Sequence, residues 1–313
     1  MNAATTQHEQ PASDRLRGRL LVLTAAVLWS TSGFFAKAPL FEEWPLDQRG
    51  ICLAFWRALF ACLLLVPLVR RPQLTWGLVP MTLMFAAMNY TYLTSMTHTT
   101  AANAIWLQNV APVWVFLIGV FLFRETVHPG DWALVLCGAL GVGFILFFEA
   151  RGEQLTGVLF GLASSVFFAG VVLSVRQLRN IDPAWLIALN LATTALLLGP
   201  WALTSGTLPS AKQFGYLTAF GMFQLGLPYL LFARGVRKIS GHEASGIALL
   251  EPILVPVWVF LAWGSASTYQ PPRWWTYVGG GLILLGLLLR YSPLALRLGT
   301  KPSGDPEPDC REA

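Results

Sequence analysis

Two ionisable residues stand inside long apolar runs of this sequence: Arg57, in the run near 51–69, and Glu251, in the run near 243–263. A charge in hydrocarbon costs at least about 2.5–3.5 kcal/mol on insertion scales, so such groups face a protein interior and mark a ligand path or an ion pair. At about 1.5 Å rise per residue, Arg57 falls roughly 5 Å from the middle of its run and Glu251 roughly 3 Å from the middle of its own. An acid and a base at similar depth suit a zwitterion or an organic cation. Glu251 would bind an ammonium or carry a coupling proton, and Arg57 would receive a carboxylate or stabilise a gate. The same placement also allows an Arg57–Glu251 ion pair that only holds the structure together.

Amides and aromatic rings supply the other candidates. In the run near 101–123, helical steps of about 100° put Asn103, Trp106 and Asn109 within about 120° of one another, as one face toward a cavity. Trp29, Asn89, Tyr90, Tyr92, Asn190, Gln224 and Tyr229 also fall mid-run. An amide facing lipid would be left unsatisfied, so the amides are expected to point inward. Each aromatic has packing or interfacial anchoring as its alternative. Pro112, Pro252 and Pro256 would free the carbonyls of Gln108, Ala248 and Pro252. Freed carbonyls at membrane depth need protein or a wet cavity around them.

The elements that must carry these residues are membrane helices. With 55% hydrophobic and 12% charged residues, against about 25% charged in ordinary soluble domains, the chain has too little polar surface for water. A window of about 20 apolar residues finds runs near 19–37, 51–69, 75–96, 101–123, 131–148, 156–177, 184–202, 214–235, 243–263 and 274–290. The basic residues are scattered between these runs, which excludes a nucleic-acid partner. The first run follows Arg15, Arg17 and Arg19 but is nearly membrane-long, so it reads as an uncleaved helix and not a cleaved signal.

Of 21 Lys and Arg, Lys37, Arg49, Arg151, Lys212 and Arg273 fall on one side of the alternating runs, Arg57 lies within a run, and the other 15 share the side of the termini. Basic residues concentrate on the cytoplasmic side, so both termini are expected there, in the plasma (inner) membrane.

The hexamer Pro112-Val113-Trp114-Val115-Phe116-Leu117 recurs as Pro256-Val257-Trp258-Val259-Phe260-Leu261, and the run from Arg57 to Pro67 aligns with that from Asn190 to Pro200. The expected fold is therefore an all-α integral membrane protein of ten transmembrane helices, two inverted five-helix repeats at 18–148 and 156–290, with tails at 1–17 and 291–313. Inverted repeats with a midplane site between them are the architecture of secondary transporters.

The pattern resembles the EamA-type branch of the drug/metabolite transporter superfamily. Its marks are Leu28-Trp29-Ser30-Thr31-Ser32, Phe55-Trp56-Arg57, Ala101-Ala102-Asn103 running into Gln108-Asn109-Val110-Ala111-Pro112, and Phe123-Arg124-Glu125-Thr126 before a Gly-rich run. The resemblance covers about 18–290 and implies export or exchange of small metabolites, amino acids among them. The chain departs from it after the second Pro-containing run, where Gly264 to Gln270 holds no Glu. Glu125 then reads as a structural helix-end partner.

Enzyme motifs are absent: there is no Gly-x-Ser-x-Gly, His-Glu-x-x-His or phosphate loop. Catalysis, a metal and a cofactor are not expected. A channel would need rings of like groups or a filter motif, and a non-transporting scaffold would not need amides and charges at midplane. The expected activity is alternating-access transport of a small molecule, with the bilayer as partner and a proton as a coupling candidate. The glycines Gly138, Gly141, Gly143, Gly279, Gly280, Gly281 and Gly286 allow close helix packing within a monomer or across a homodimer seam.

Overall fold

The computed structural model describes residues 12–124, 129–150, 152, 154–178 and 180–291. Glu125 therefore lies outside the described residues. Every regular element among them is helical: α1 (Ala12–Ser30), α2 (Ser32–Ala36), α3 (Leu46–Leu65), α4 (Leu78–His98), α5 (Ala101–Gln108), α6 (Ala111–Phe123), α7 (Pro129–Glu149), α8 (Leu155–Gln177), α9 (Pro183–Thr204), α10 (Ala211–Ala219), a π-helix (Phe220–Gly226), α11 (Leu227–Gly235), α12 (Gly241–Ala248), α13 (Leu250–Trp263) and α14 (Trp274–Tyr291).

Eight segments are long and apolar enough to cross a membrane: Ser13–Ala36, Leu46–Leu68, Ala101–Phe123, Asp131–Glu149, Leu155–Gln177, Pro183–Thr204, Ala211–Gly235 and Glu243–Trp263; Trp274–Arg290 is a shorter apolar helix. α4, at 21 residues, is as long as the Glu243–Trp263 span but reads Asn89-Tyr90-Thr91-Tyr92 in its second half. Asn89, Thr91, Tyr92, Thr94 and Ser95 are all buried, so this polar stretch faces protein and not lipid.

The breaks inside the spans have local causes. The Ser30 and Thr31 hydroxyls bond back to the carbonyls of Val27 and Leu28, competing with the helix ladder and separating α1 from α2. α1 also reaches back to Ala12, into the segment read as tail, where Asp14 in the first turn suits the positive end of the helix dipole. α5 and α6 part at Asn109-Val110, so that Pro112 enters in the first turn of α6, where its missing N–H costs nothing. α12 and α13 part at Leu249, with Pro252 third in the first turn of α13 and Pro256 inside that helix.

The two halves brace each other reciprocally. Trp258 on α13 donates its indole N–H to Ser30 on α1 at 2.8 Å, and Trp114 on α6 donates to Ser165 on α8, also at 2.8 Å. Both tryptophans belong to the repeated hexamer. When the two helix breaks are matched, the hexamer sits about one turn farther along in the second half, which keeps its residues near the same face. α7 and α14 pack through their glycines: a Cβ on Gly141 would lie 2.5 Å from the Gly279 carbonyl oxygen, whereas Gly143 and Gly281 have nothing within 4 Å.

Candidate functional site

The centre of the bundle is built around Arg57. α3 carries it, and it is 3% exposed. Gly221 in the π-helix lets that element press onto α3: a Cβ there would meet the Arg57 carbonyl oxygen at 2.6 Å. The extra residue per turn of a π-helix rotates the side chains that follow, a common device at functional positions. Here it presents Phe220 and Gln224 to the guanidinium.

The Arg57 guanidinium donates through Nη1 to Gln224 Oε1 at 3.3 Å and through Nη2 to Asn89 Oδ1. Its carbon lies 5.2 Å from the centre of the Phe220 ring and 6.0 Å from that of Tyr92. These contacts hold a buried cation by ring quadrupoles and charge-assisted hydrogen bonds, without a carboxylate. Two donors are left over: Arg57 Nε and Asn89 Nδ2 have no hydrogen-bond partner among the described residues.

The surrounding shell ties several helices to this point. Gln224 Nε2 donates to the Trp29 carbonyl at 3.0 Å, and the Tyr92 hydroxyl lies 2.9 Å from Ser32 Oγ. Trp29 meets Tyr229 edge-on, with ring centres 5.2 Å apart, and packs on Phe232.

Glu251, in the first turn of α13, is half-buried. It forms neither an ion pair nor a hydrogen bond with any described residue, which corrects the ion-pair reading of Arg57 and Glu251. The two are still near enough for their charges to act on each other and on Tyr92 and Tyr229. The arrangement is a fixed cation and an open carboxylate separated by aromatic and amide groups.

The structure thus brings together Arg57, Asn89, Gln224, Trp29 and Tyr229, with Glu251 in electrostatic range. It places other candidates elsewhere. Asn103 is fully buried and donates to Glu149 Oε1 at 3.1 Å and Thr99 Oγ1 at 3.0 Å. Trp106 packs on Gly280 of α14, where a Cβ would stand 2.6 Å from the indole. Asn109 caps α5 by donating to the Ile105 carbonyl at 2.9 Å. Asn190 is buried in α9, its Oδ1 without a partner among the described residues, and Tyr90 turns aside to Phe160.

Sequence reasoning missed Phe220, Ser32 and Glu149. Phe220 stands four residues before Gln224, a spacing that would have flagged a shared face. Glu149, 4% exposed, takes hydrogen bonds from both Asn103 and Trp275, yet sits just past the end of its apolar run and reads there as loop. Among the described residues no group of three or more His, Cys, Asp or Glu is placed to hold a metal.

Comparison with known proteins agrees with this two-part architecture. A solved crystal structure covering 90% of this chain and 99% of its own matches with a TM-score of 0.63 at 18% identity, a likeness of fold. An uncharacterised transporter of Archaeoglobus fulgidus is 26% identical over 88% of this chain and 96% of its own length. The pseudopaline exporter CntI of Pseudomonas aeruginosa is 26% identical over 75% of this chain and 84% of its own, and a biotin transporter of Escherichia coli 22% identical over 67% and 71%. The EamA-like transporter family matches twice in succession, at residues 16–147 and 155–292, once for each repeat. The chain belongs to the EamA-like transporter family.

Proposed function

We propose that this protein is a secondary transporter that moves a small metabolite across the plasma (inner) membrane by alternating access, and that it works as an exporter. The observation that carries the reading is the buried Arg57 held only by neutral partners, beside a Glu251 carboxylate that no described residue pairs. A bundle stabilised for its own sake would gain by joining two such charges or replacing both with apolar groups. Charges kept apart and half-satisfied fit a ligand that completes them.

In this reading the eight long segments, α4 and the shorter Trp274–Arg290 helix make ten spans, and the end of the bundle bearing residue 12 is cytoplasmic. The substrate is an amino acid or related zwitterion or organic cation, bound among Arg57, Asn89, Gln224, Trp29, Tyr229 and Glu251. Asn103, Trp106, Asn109 and Asn190 hold the helices around that site. The driving force is the substrate's own gradient or protons carried by Glu251, and the working unit is a monomer or homodimer. Similarity to a named exporter supports the direction.

The test is to load proteoliposomes with a metabolite mixture and identify by mass spectrometry what leaves. Release of specific compounds only when protein is present supports the proposal, and no protein-dependent release of anything would favour a membrane scaffold.

A further inference from the structure

The same joint occurs twice, at opposite ends of the bundle, and among the described residues ion pairs cross it at only one. At the amino-terminal end Gly18 of α1 lies on the turn after α11: a Cβ there would stand 2.7 Å from Lys238 Cβ and 2.8 Å from Ile239 Cγ2. At the other end Gly157 of α8 lies on the turn after α4, where a Cβ would stand 2.7 Å from the His98 carbonyl carbon and 2.6 Å from Thr99 N. Gly18 and Gly157 are each the third residue of a family match. The helix after each turn is capped alike, Ser240 accepting from the Glu243 N–H at 3.2 Å and Thr100 from the Asn103 N–H at 3.1 Å. Glu243 and Asn103 are therefore counterparts.

Their partners differ in kind. At the amino-terminal end two ion pairs cross between the halves, Lys238 Nζ to Asp14 Oδ1 at 2.6 Å and Arg19 to Glu243. At the far end the cross-links among the described residues are neutral: Ser95 Oγ donates to the Gly157 carbonyl at 2.7 Å and Thr99 Oγ1 to Gln154 Oε1 at 2.8 Å, while Asn103 turns to Glu149. In an inverted repeat the movement that opens one joint is repeated at the other end to open its counterpart.

We propose that these two joints are the alternating gates of the transporter, and that ion pairing makes the amino-terminal gate sensitive to ionic strength. The proposal rests on the transport reading above. Both ion pairs are partly exposed, with side chains 55% and 29% accessible for Arg19 and Glu243 and 31% and 43% for Lys238 and Asp14. Salt therefore screens them. A ligand or ion shifts a two-state equilibrium only through its differential effect on the two states, and salt acts here by weakening ion pairs that hold the amino-terminal joint closed.

Two experiments test this. Spin labels at Leu16→Cys and Val236→Cys, in a background with the native cysteines replaced, report the amino-terminal joint without reference to transport. A second, longer distance should gain population from low to molar salt, and equally on Glu243→Gln at low salt. A distance distribution unchanged in both conditions overturns the proposal even if transport is intact. In the second experiment a cleavable thiol-reactive bridge links Asp14→Cys to Lys238→Cys, or Thr99→Cys to Gln154→Cys. Either bridge should lower transport at least tenfold, with recovery on reduction. A bridged protein that transports at the unbridged rate shows the joints to be fixed scaffold.

Discussion

Arg57 hydrogen-bonds to Asn89 across α3 and α4 while Glu251, its candidate counter-ion, has no partner among the described residues. A cation anchored by amides and rings keeps its position whether or not a ligand is present, with its Nε still open. That leaves the carboxylate and this one donor as the groups a ligand can complete.

Replacing Arg57 with Met should separate these roles. Methionine can pack on the Phe220 and Tyr92 rings but leaves the buried Asn89 Oδ1 and Gln224 Oε1 without their donor, at about 1–3 kcal/mol for each orphaned group. The Arg57→Met protein should melt at a lower temperature than wild type in detergent and, in the protein that remains folded, lose at least tenfold in transport, about 1.4 kcal/mol of lost binding or barrier. Unchanged transport would assign Arg57 to structure.

Two glycine substitutions should differ in sign. Gly221→Ala forces a methyl against the Arg57 carbonyl oxygen and the Phe60 Cβ, both at 2.6 Å. Overpacking of this kind costs about 1–3 kcal/mol, and it should displace the π-helix and impair transport. Gly143→Ala meets nothing within 4 Å and should stabilise α7 by up to about 1 kcal/mol. Thermal melts of the two variants check both.

Lys37, at the end of α2, reports on sidedness. Burial, followed by the nearby Arg49 charge, pushes its ammonium down to about 8 from 10.5, against a small opposing effect of Glu42. The neutral amine is the reactive form and accumulates as pH rises through about 8. A membrane-impermeant acylating reagent applied outside intact cells should label Lys37 with a rate that climbs across that range, and should leave Lys238 unlabelled. Labelling of Lys238 from outside would reverse the orientation. Because the unfolded chain holds that proton up to about 10.5, this lysine also makes folding more favourable as pH rises from about 8 to about 10.5.

Much of this was legible from residue types. A charge within an apolar run has one physical explanation, burial in protein, so Arg57 and Glu251 stood out, and the repeated hexamer announced two halves. The partners were not legible. Helical geometry gave the angles among Asn103, Trp106 and Asn109 but not the direction of the cavity, and the chain break at Asn109-Val110 with the Glu149 carboxylate turned that face toward α7 and α14. The π-helix was invisible because a single extra residue in a turn leaves no mark on an apolar pattern, although it decides where Gln224 points. α4 shows the converse: its polarity lowers its hydropathy because so much of it faces protein.

The central claim is that substrate completes the Glu251 carboxylate and the Nε donor left open on Arg57. Once a released compound is known, its exchange should be measured in proteoliposomes with Glu251→Gln, Arg57→Met and the double variant. The account predicts at least a tenfold loss in each single variant and a double variant little worse than either, because both act on one bound ligand. Exchange at the wild-type rate in the double variant would contradict it.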